Sequence, residues 1–256
     1  YVAPKNKQSP KQAIVNIDDE WGKQIFQQCS VPAWSYGIRN QADFRATNLS
    51  LSIDETTFTA LTPVGPMAIS SALAGEHNVY NLLAAISVGV ACGLSSKLIQ
   101  KGIKNFRSVP GRFELIQEGQ EFTVVVDYAH TEDALARLLT AARVLGKGRI
   151  LTVFGCGGDR DRGKRPKMGQ VAAKDSDLVF VTSDNPRTEH PLAIIHDIEL
   201  GMLGLPELQR QAYRLIPERR EAIHAAIQEA KPQDMVLIAG KGHGSMDALE
   251  LHYGVG

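Results

Sequence analysis

The sequence has 256 residues with 28 basic and 28 acidic side chains, a length that fits one large domain or two of ordinary size. This balance excludes the basic field of a nucleic-acid-binding protein and the polybasic clusters of a membrane-surface protein. No apolar run approaches the roughly 20 residues of a membrane-spanning helix, and the first residues lack the apolar core of a secretory signal. Cys29, Cys92 and Cys156 form no CxxC pair, which favours neither a disulfide framework nor a zinc site. We therefore predict a cytoplasmic protein with reduced thiols and no nucleic-acid or membrane partner.

Residues 13–107 alternate short strand-like runs with turns. AIVNI, which leads directly into acidic residues, and PAWSYGI come first. ATNLSLSI, TTFTAL and GPMAISSAL follow, and the turn signals DE and TPVG between them predict a meander or hairpins. A helix is predicted next by apolar residues at helical spacing, namely Val79, Leu82, Leu83 and Ile86. SSKLIQKGIKNF predicts a second helix capped by Ser95 or Ser96, and RSVPGRFE a linker.

From about residue 113 onward, strands and helices alternate strictly. The runs FTVVV, RILTVF, DLVFV and DMVLIA are nearly continuous in apolar residues, and amphipathic helical segments follow the first three. This pattern predicts a parallel sheet that is covered on both faces. ERREAIHAAIQEA supplies the helix before the last strand, with four apolar residues on one face: Ala222, Ile223, Ala226 and Ile227.

A polar motif follows the carboxyl end of each of these four strands. DYAH follows the first strand, GCGGDRDRGKR the second, DNPR the third and GKGH the fourth. In an open α/β sheet this edge forms the ligand crevice. Four such motifs at one edge predict a binding site there.

DNPR is the motif with the most specific chemistry. Pro186 favours extended backbone at the preceding residue and is predicted to open the next helix, so that Asp184 and Arg187 meet at its N-terminus. Arg187 can bind a carboxylate through two N–H groups and Asp184 can accept from an ammonium group, a pairing that suits an amino-acid zwitterion. The alternative, in which Asp184 only caps the helix and pairs with Arg187, is equally compatible with the motif.

The other motifs leave more than one interpretation open. The backbone N–H groups of GCGGDRDRGKR suit a phosphate or carboxylate. The spacing of its glycines matches neither GxGxxG nor GxxxxGK[ST]. A solvated charged loop is the alternative interpretation. His130 and His243 are candidate acids, bases or phosphate contacts. Asp127 either helps to hold Mg²⁺ or a ribose, or caps a helix. For Asn78, helix capping is the favoured interpretation from the residues alone.

Six motifs occur in order between Gln12 and His243: EHNVYNLLAA, VPGRFE, VVVDYAHTEDAL, VFGCGGDRDRGKRPKMG, SDNPRTEHP and AGKGH. Together they resemble the Mur ligase family. The resemblance implies an α/β fold in which residues 1–107 are the C-terminal part of a central ATP-binding domain. Residues 108–256 would be the Rossmann-like C-terminal domain that binds the incoming amino acid. The family's UDP-binding domain and its P-loop, similar to GTNGKT, do not occur in this sequence, so we expect the chain to be inactive by itself.

The form DNPR resembles the members that add meso-diaminopimelate to UDP-N-acetylmuramoyl-L-alanyl-D-glutamate in peptidoglycan synthesis, because lysine-adding relatives lack the arginine. The implied reaction is ATP-dependent amide formation through an acyl phosphate, by a monomer. The resemblance places five residues around diaminopimelate, with Arg187 on the distal carboxylate that lysine lacks: Arg160, Asp184, Asn185, Arg187 and Gly240. It places five others around ATP: Asn78, Asn81, Arg112, Asp127 and His130. Lys5 in YVAPK is similar to a family lysine that is carbamylated to hold Mg²⁺; no catalytic residue is assigned.

Gly244 stands where the family has a glutamate that helps to bind the ammonium group of the amino acid. This departure predicts either a tail foreign to the family, which we favour, or an incomplete amino-acid site. Two relatives of the same superfamily, a folylpolyglutamate synthase and a lysine-adding enzyme, are rival interpretations that DNPR argues against. A nicotinamide-dependent oxidoreductase is disfavoured by the missing GxGxxG motif. A non-catalytic amino-acid-binding module is the rival that the missing P-loop favours.

Overall fold

The computed structural model describes residues 12–207 and 212–242. The chain divides into two compact units, residues 1–107 and 108–256. The predictions for Lys5, His243 and Gly244 fall outside the described residues. Within the described ranges, every helix is too short or too polar to cross a membrane.

The first unit is built on a five-stranded sheet in the order β1-β2-β3-β4-β5. Its strands are β1 (Ala13–Asn16), β2 (Ala33–Gly37), β3 (Phe44–Leu51), β4 (Thr56–Leu61) and β5 (Met67–Ser71). β1, β2 and β3 run parallel, whereas β3, β4 and β5 are antiparallel neighbours. The predicted hairpins are thereby confirmed for the last three strands. The helices of this unit are α1 (Glu20–Gln27), α2 (Glu76–Ala91) and α3 (Ser96–Asn105).

Helix α1 is absent from the sequence-based expectation, which has only a strand ending in acids. The side chain of Asp19 caps the helix by accepting a hydrogen bond from the backbone N–H of Gly22 at 3.0 Å. Glycine is needed at position 22 because a Cβ there would lie 1.7 Å from the carbonyl oxygen of Asn16. A glycine within eight residues weakens the helical signal in the sequence.

The other helices of the first unit agree with their patterns. The four apolar residues of α2 at helical spacing are buried, and they pack in one core with Phe44, Phe58 and Met67 of the sheet. Ser95 caps α3 by accepting from the backbone N–H of Leu98, as predicted.

The second unit contains a six-stranded sheet in the order β10-β9-β8-β11-β7-β6. Its strands are β6 (Glu114–Ile116), β7 (Thr123–Asp127), β8 (Ile150–Phe154), β9 (Leu178–Val181), β10 (Ala212–Leu215) and β11 (Met235–Ala239). All neighbours are parallel except β6 and β7. The four predicted strands are confirmed. The two unpredicted strands, β6 and β10, are short and lie at the two edges of the sheet.

Helices cover both faces of this sheet, as predicted. They are α4 (Glu132–Leu145), α5 (Lys164–Asp175), α6 (Pro191–Leu203) and α7 (Arg219–Glu229). Val153, Phe180 and Ile238 face α7 in one core, and the alternating residues between them are also buried. α4, α5 and α6 pack side by side against β8 and β9. The carboxyl ends of β9, β8, β11 and β7 therefore adjoin in that order at one edge of the sheet.

Candidate functional site

Two loops and a strand end form the candidate site at this edge. The glycine loop, residues 155–163, follows β8, and the DNPR loop, residues 182–190, follows β9. Gly240 directly follows β11 and has a φ of +115°, which favours glycine. A Cβ at Gly240 would lie 3.6 Å from Asp184 Oδ2, and Lys241 Nζ lies 3.9 Å from Asp184 Oδ1. Asp184 and Gly240, both predicted to contact the amino acid, are thus neighbours.

The DNPR loop lies directly on the glycine loop. The backbone N–H of Gly158 donates to the carbonyl oxygen of Asn185 at 2.8 Å, and Arg187 Nη1 donates to the carbonyl oxygen of Gly158 at 2.6 Å. A Cβ at Gly158 would lie 1.9 Å from the carbonyl oxygen of Pro186, so only glycine permits this approach. Arg160 lies on the same glycine loop and, like Asn185 and Arg187, is exposed. All five residues predicted for the amino acid are therefore on these neighbouring segments.

The prediction that Pro186 opens the next helix is wrong. Helix α6 begins at Pro191, and His190 caps it through Nδ1, which accepts from the backbone N–H of Leu192 at 3.3 Å. The residues between the two prolines turn toward the glycine loop instead. The alternative that Asp184 caps the helix and pairs with Arg187 is wrong as well, because the ion-pair partner of Asp184 among the described residues is Lys241.

Arg165 is a residue of this site whose role the sequence does not reveal. Its side chain is 1% exposed, and its guanidinium forms ion pairs with Glu189 at 2.7 Å and with Asp197 at 2.9 Å. The hydrogen bond from Arg165, aided by one from the backbone of Asp159, lowers the pKa of Glu189 to about 2. The only sequence signal is the position of Arg165 on the same helical face as the buried Met168 and Ala172.

Arg219 is a second unpredicted residue at this edge, at the first position of α7. Its Nη2 donates to the carbonyl oxygen of Ala239 at 3.0 Å, next to Gly240. Nε and Nη1 are buried and have no hydrogen-bond partner among the residues that the structure describes. Burial lowers the pKa of this guanidinium, and the negative charge of Asp184 opposes that shift. Arg219 therefore adds positive charge close to Asp184.

The DYAH motif places an aromatic and basic surface after β7. The guanidinium of Arg112 lies 4.5 Å from the ring centroid of Tyr128, and the His130 ring meets the same ring edge-on at 4.7 Å. Tyr128 and His130 are exposed, and Lys164 Nζ donates to the carbonyl oxygen of His130 at 2.6 Å. The surface of Arg112, Tyr128 and His130 can stack on a flat ring and attract an anion.

Asp127 holds the backbone around this surface. Its Oδ2 accepts from the N–H of Phe113 at 2.7 Å and its Oδ1 accepts from the N–H of Ala129 at 2.8 Å. The capping alternative for Asp127 is wrong, because Thr131 caps α4. Each carboxylate oxygen keeps a second lone pair for a ligand hydroxyl.

Asn78 and Asn81 lie in the first unit, at the start of α2. Asn78 is not the cap: the helix begins after Gly75, whose φ is +91°, and the side-chain amide of Asn78 donates to the carbonyl oxygen of Ala74 at 2.8 Å. Asn78 is buried, and its Oδ1 accepts from Asn81 Nδ2 at 3.1 Å. The exposed Asn81 therefore has its amide oriented by Asn78.

A magnesium site was also expected from the resemblance. In the described part of the chain, no group of three or more His, Cys, Asp or Glu side chains could hold a metal ion. The predicted ligand, Lys5, lies outside the described residues. The described residues therefore do not form a metal site, and we derive no step of the reaction through a metal ion.

Two family models match the chain. The model described as "Mur ligase, glutamate ligase domain" matches residues 111–242, just over half of the chain, and the one described as "Mur ligase middle domain" matches residues 4–89. The chain belongs to the Mur ligase family. The predicted α/β fold of a Mur ligase is therefore confirmed.

Curated relatives of this Mur ligase chain include two with the name UDP-N-acetylmuramoyl-L-alanyl-D-glutamate–2,6-diaminopimelate ligase. The one from Syntrophomonas wolfei is 48% identical over 231 residues, and the one from Bacillus licheniformis is 44% identical over 238 residues. The matches cover 90% and 93% of this chain but 47% and 48% of those proteins. The chain thus spans about half the length of the curated relatives it matches.

Solved structures agree with the family assignment. A structure of a ligase with the same name has a TM-score of 0.62 at 36% identity, over 91% of this chain and 48% of that one. Folylpolyglutamate synthase from Thermotoga maritima has a TM-score of 0.66 at 18% identity, over 92% of this chain and 52% of that one. The second likeness concerns the fold alone.

Proposed function

We propose that this chain is part of a Mur ligase that adds meso-diaminopimelate to UDP-N-acetylmuramoyl-L-alanyl-D-glutamate in peptidoglycan synthesis. Residues 1–107 would belong to its central ATP-binding domain, and residues 108–256 would be its amino-acid-binding domain. The observation that carries the proposal is the hydrogen bond from Arg187 of the DNPR loop to Gly158 of the glycine loop, on the same loop as Asp184, which lies next to Gly240. Relatives that are 44–48% identical and named diaminopimelate ligases support it.

The charges at the sheet edge suit an amino acid with two zwitterionic ends. Arg187 donates one hydrogen bond through Nη1 to the carbonyl oxygen of Gly158. Its other N–H groups would be available to donate to the distal carboxylate of diaminopimelate. Lysine has no carboxylate at that end. Asp184 would accept from an ammonium group, while Arg160, Asn185 and the backbone of Gly240 would complete the contacts.

The proposed reaction forms an amide bond. ATP would transfer its γ-phosphoryl group to the γ-carboxylate of D-glutamate, which releases ADP and forms an acyl phosphate. The amine of diaminopimelate would then attack the acyl carbon, and the amide would form as inorganic phosphate leaves and the amine loses a proton. The contribution of this chain is to orient the amine and to neutralise charge. The proposed contacts with ATP are Asn78, Asn81, Arg112, Asp127 and His130. Lys5 as a carbamylated ligand of Mg²⁺, a monomeric state and a cytoplasmic location stay predictions.

The direct test is a calorimetric titration of the chain with meso-diaminopimelate and with L-lysine. We expect diaminopimelate to bind, lysine not to bind, and Arg187→Ala to weaken the binding of diaminopimelate at least tenfold. Arg137→Ala, at an exposed position of α4, is the matched control and should bind as the wild type does. Equal binding of both amino acids would refute the role of Arg187. Absence of binding, if it persists in a longer protein with a P-loop and the family's GKGHE segment, would refute the proposed substrate.

A non-catalytic amino-acid-binding module is a second candidate, because Asp184, Arg187 and Gly240, the residues proposed to bind the amino acid, all lie in the second unit. It predicts that the chain binds diaminopimelate without hydrolysing ATP. Phosphate release by a longer protein that includes a P-loop separates the two, because ATP turnover that depends on diaminopimelate would exclude the module.

A further inference from the structure

We propose that Arg165 is a positioning residue that sets specificity for the distal carboxylate, because through Glu189 it fixes the loop that carries Arg187. The inference rests on the proposed function, since it concerns how the same site selects its amino acid. The side chain of Arg165 is 1% exposed, so it would not contact the amino acid directly. It would act through the loops that its guanidinium joins, above all the DNPR loop that carries Arg187.

The ion pair between Arg165 and Glu189 is bidentate, and the two side chains are 1% and 11% exposed. Arg165 Nη2 donates to Glu189 Oε1 at 2.7 Å, and Nη1 donates to Glu189 Oε2 at 3.0 Å. Nη1 also donates to Asp197 Oδ2 of helix α6 at 2.9 Å, and Nη2 to the carbonyl oxygen of Gly157 at 3.3 Å. One guanidinium thus joins the glycine loop, the DNPR loop and α6. Lysine could not replace it, because an ammonium group lacks this planar set of donors.

Glu189 also receives bonds directly from the glycine loop. Its Oε1 accepts from the backbone N–H of Asp159 at 2.7 Å, and its Oε2 lies 2.9 Å from Arg162 Nη2. Thr188, the preceding residue, donates through Oγ1 to Asp159 Oδ1 at 2.7 Å. Since the pKa of Glu189 is lowered to about 2, the carboxylate is charged at neutral pH.

The backbone on both sides of this contact is strained. Arg187 has a φ of +51° and Asp159 has a φ of +53°, a region that residues other than glycine rarely occupy. Such conformations persist where surrounding contacts hold them in place. Arg187 lies two residues before Glu189, so the ion pair with Arg165 anchors its backbone on the C-terminal side. Without that anchor, Arg187 is expected to relax and to move away from the carboxylate.

A double-mutant cycle tests this coupling. The variants are Glu189→Gln, Arg187→Ala and the two combined, with calorimetric affinity for meso-diaminopimelate as the readout. We expect Glu189→Gln to weaken binding at least tenfold, and Arg187→Ala to cost at least tenfold in the wild type but less than threefold in the Glu189→Gln background. A merely structural role of Glu189 would leave the effect of Arg187→Ala unchanged in both backgrounds.

Asp197→Asn is the matched control, because it removes the other partner of Arg165 and leaves the contact with the DNPR loop. It should change affinity less than threefold, whatever it does to the melting temperature. If Glu189→Gln does not fold, Arg165→Lys replaces it in the same cycle. Additive losses, or an unchanged affinity of Glu189→Gln, would overturn this inference alone. Absence of binding by the wild-type chain that persists in the longer protein with a P-loop and the GKGHE segment would overturn the proposed function with it.

Discussion

Gly158→Ala should disrupt the site without removing any charged group. A Cβ at this position would lie 1.9 Å from the carbonyl oxygen of Pro186, whereas ordinary contacts between carbon and oxygen are about 3.3 Å. The glycine and DNPR loops would therefore have to separate by about 1 Å or more. We expect a loss of about 1–3 kcal/mol in the free energy of unfolding from overpacking. A displacement of about 1 Å in a positioned group can cost on the order of 100-fold in function.

The assay is a pair of measurements on the same protein: calorimetric affinity for meso-diaminopimelate and the urea midpoint of the second unit. Gly163→Ala is the control in the same loop, because its φ is −62° and its nearest atom is the flexible Asp161 carboxylate at 3.2 Å. The control should bind within threefold of the wild type. If Gly158→Ala kept wild-type affinity and stability, the close contact between the two loops would be refuted.

Three further predictions concern stability, each checked by urea denaturation. Asp18→Ala should cost roughly 3 kcal/mol, since that carboxylate accepts hydrogen bonds from three backbone N–H groups and from Tyr80. Burial by itself would raise the pKa of Asp18, but these hydrogen bonds hold that pKa well below its usual value. The stabilisation should therefore be present at neutral pH and decline as the pH falls below about 4. Equal urea midpoints of wild type and variant at pH 7 would contradict this prediction. Asp234→Asn should cost roughly 2 kcal/mol, because it leaves Arg149 without its closest carboxylate. A loss under about 0.5 kcal/mol, which is the usual scatter of surface substitutions, would argue against a stabilising ion pair. Thr131→Ala should cost about 1 kcal/mol by removing the cap of α4, whereas Thr140→Ala, at an exposed position of the same helix, should have little effect.

The alternation of apolar strands and amphipathic helices made the fold of the second unit predictable. FTVVV, RILTVF, DLVFV and DMVLIA each have too many consecutive apolar residues for a strand that faces water on one side. The edge strand β10 escaped prediction because its four residues, Ala212–Leu215, are mostly exposed and show no such run. Helix α1 escaped it because Gly22, which the close carbonyl of Asn16 requires, interrupts its pattern.

The site was predictable in its location and less so in its connections. The carboxyl edge of a parallel sheet brings Asp184, Arg187 and Gly240 together from three separate stretches of sequence. The buried ion pair between Arg165 and Glu189 depends on how two loops fold onto each other, and local sequence patterns carry no signal for that. The start of α6 was misplaced for the same reason, since contacts with the glycine loop hold the residues before Pro191 out of the helix.

A crystal structure of the chain with meso-diaminopimelate would show directly whether Arg187 binds the distal carboxylate. We predict that this carboxylate lies within hydrogen-bond distance of the Arg187 guanidinium, and that an ammonium group lies within hydrogen-bond distance of Asp184. Diaminopimelate bound at another face of the second unit, or bound at this edge with both carboxylates away from Arg187, would contradict it.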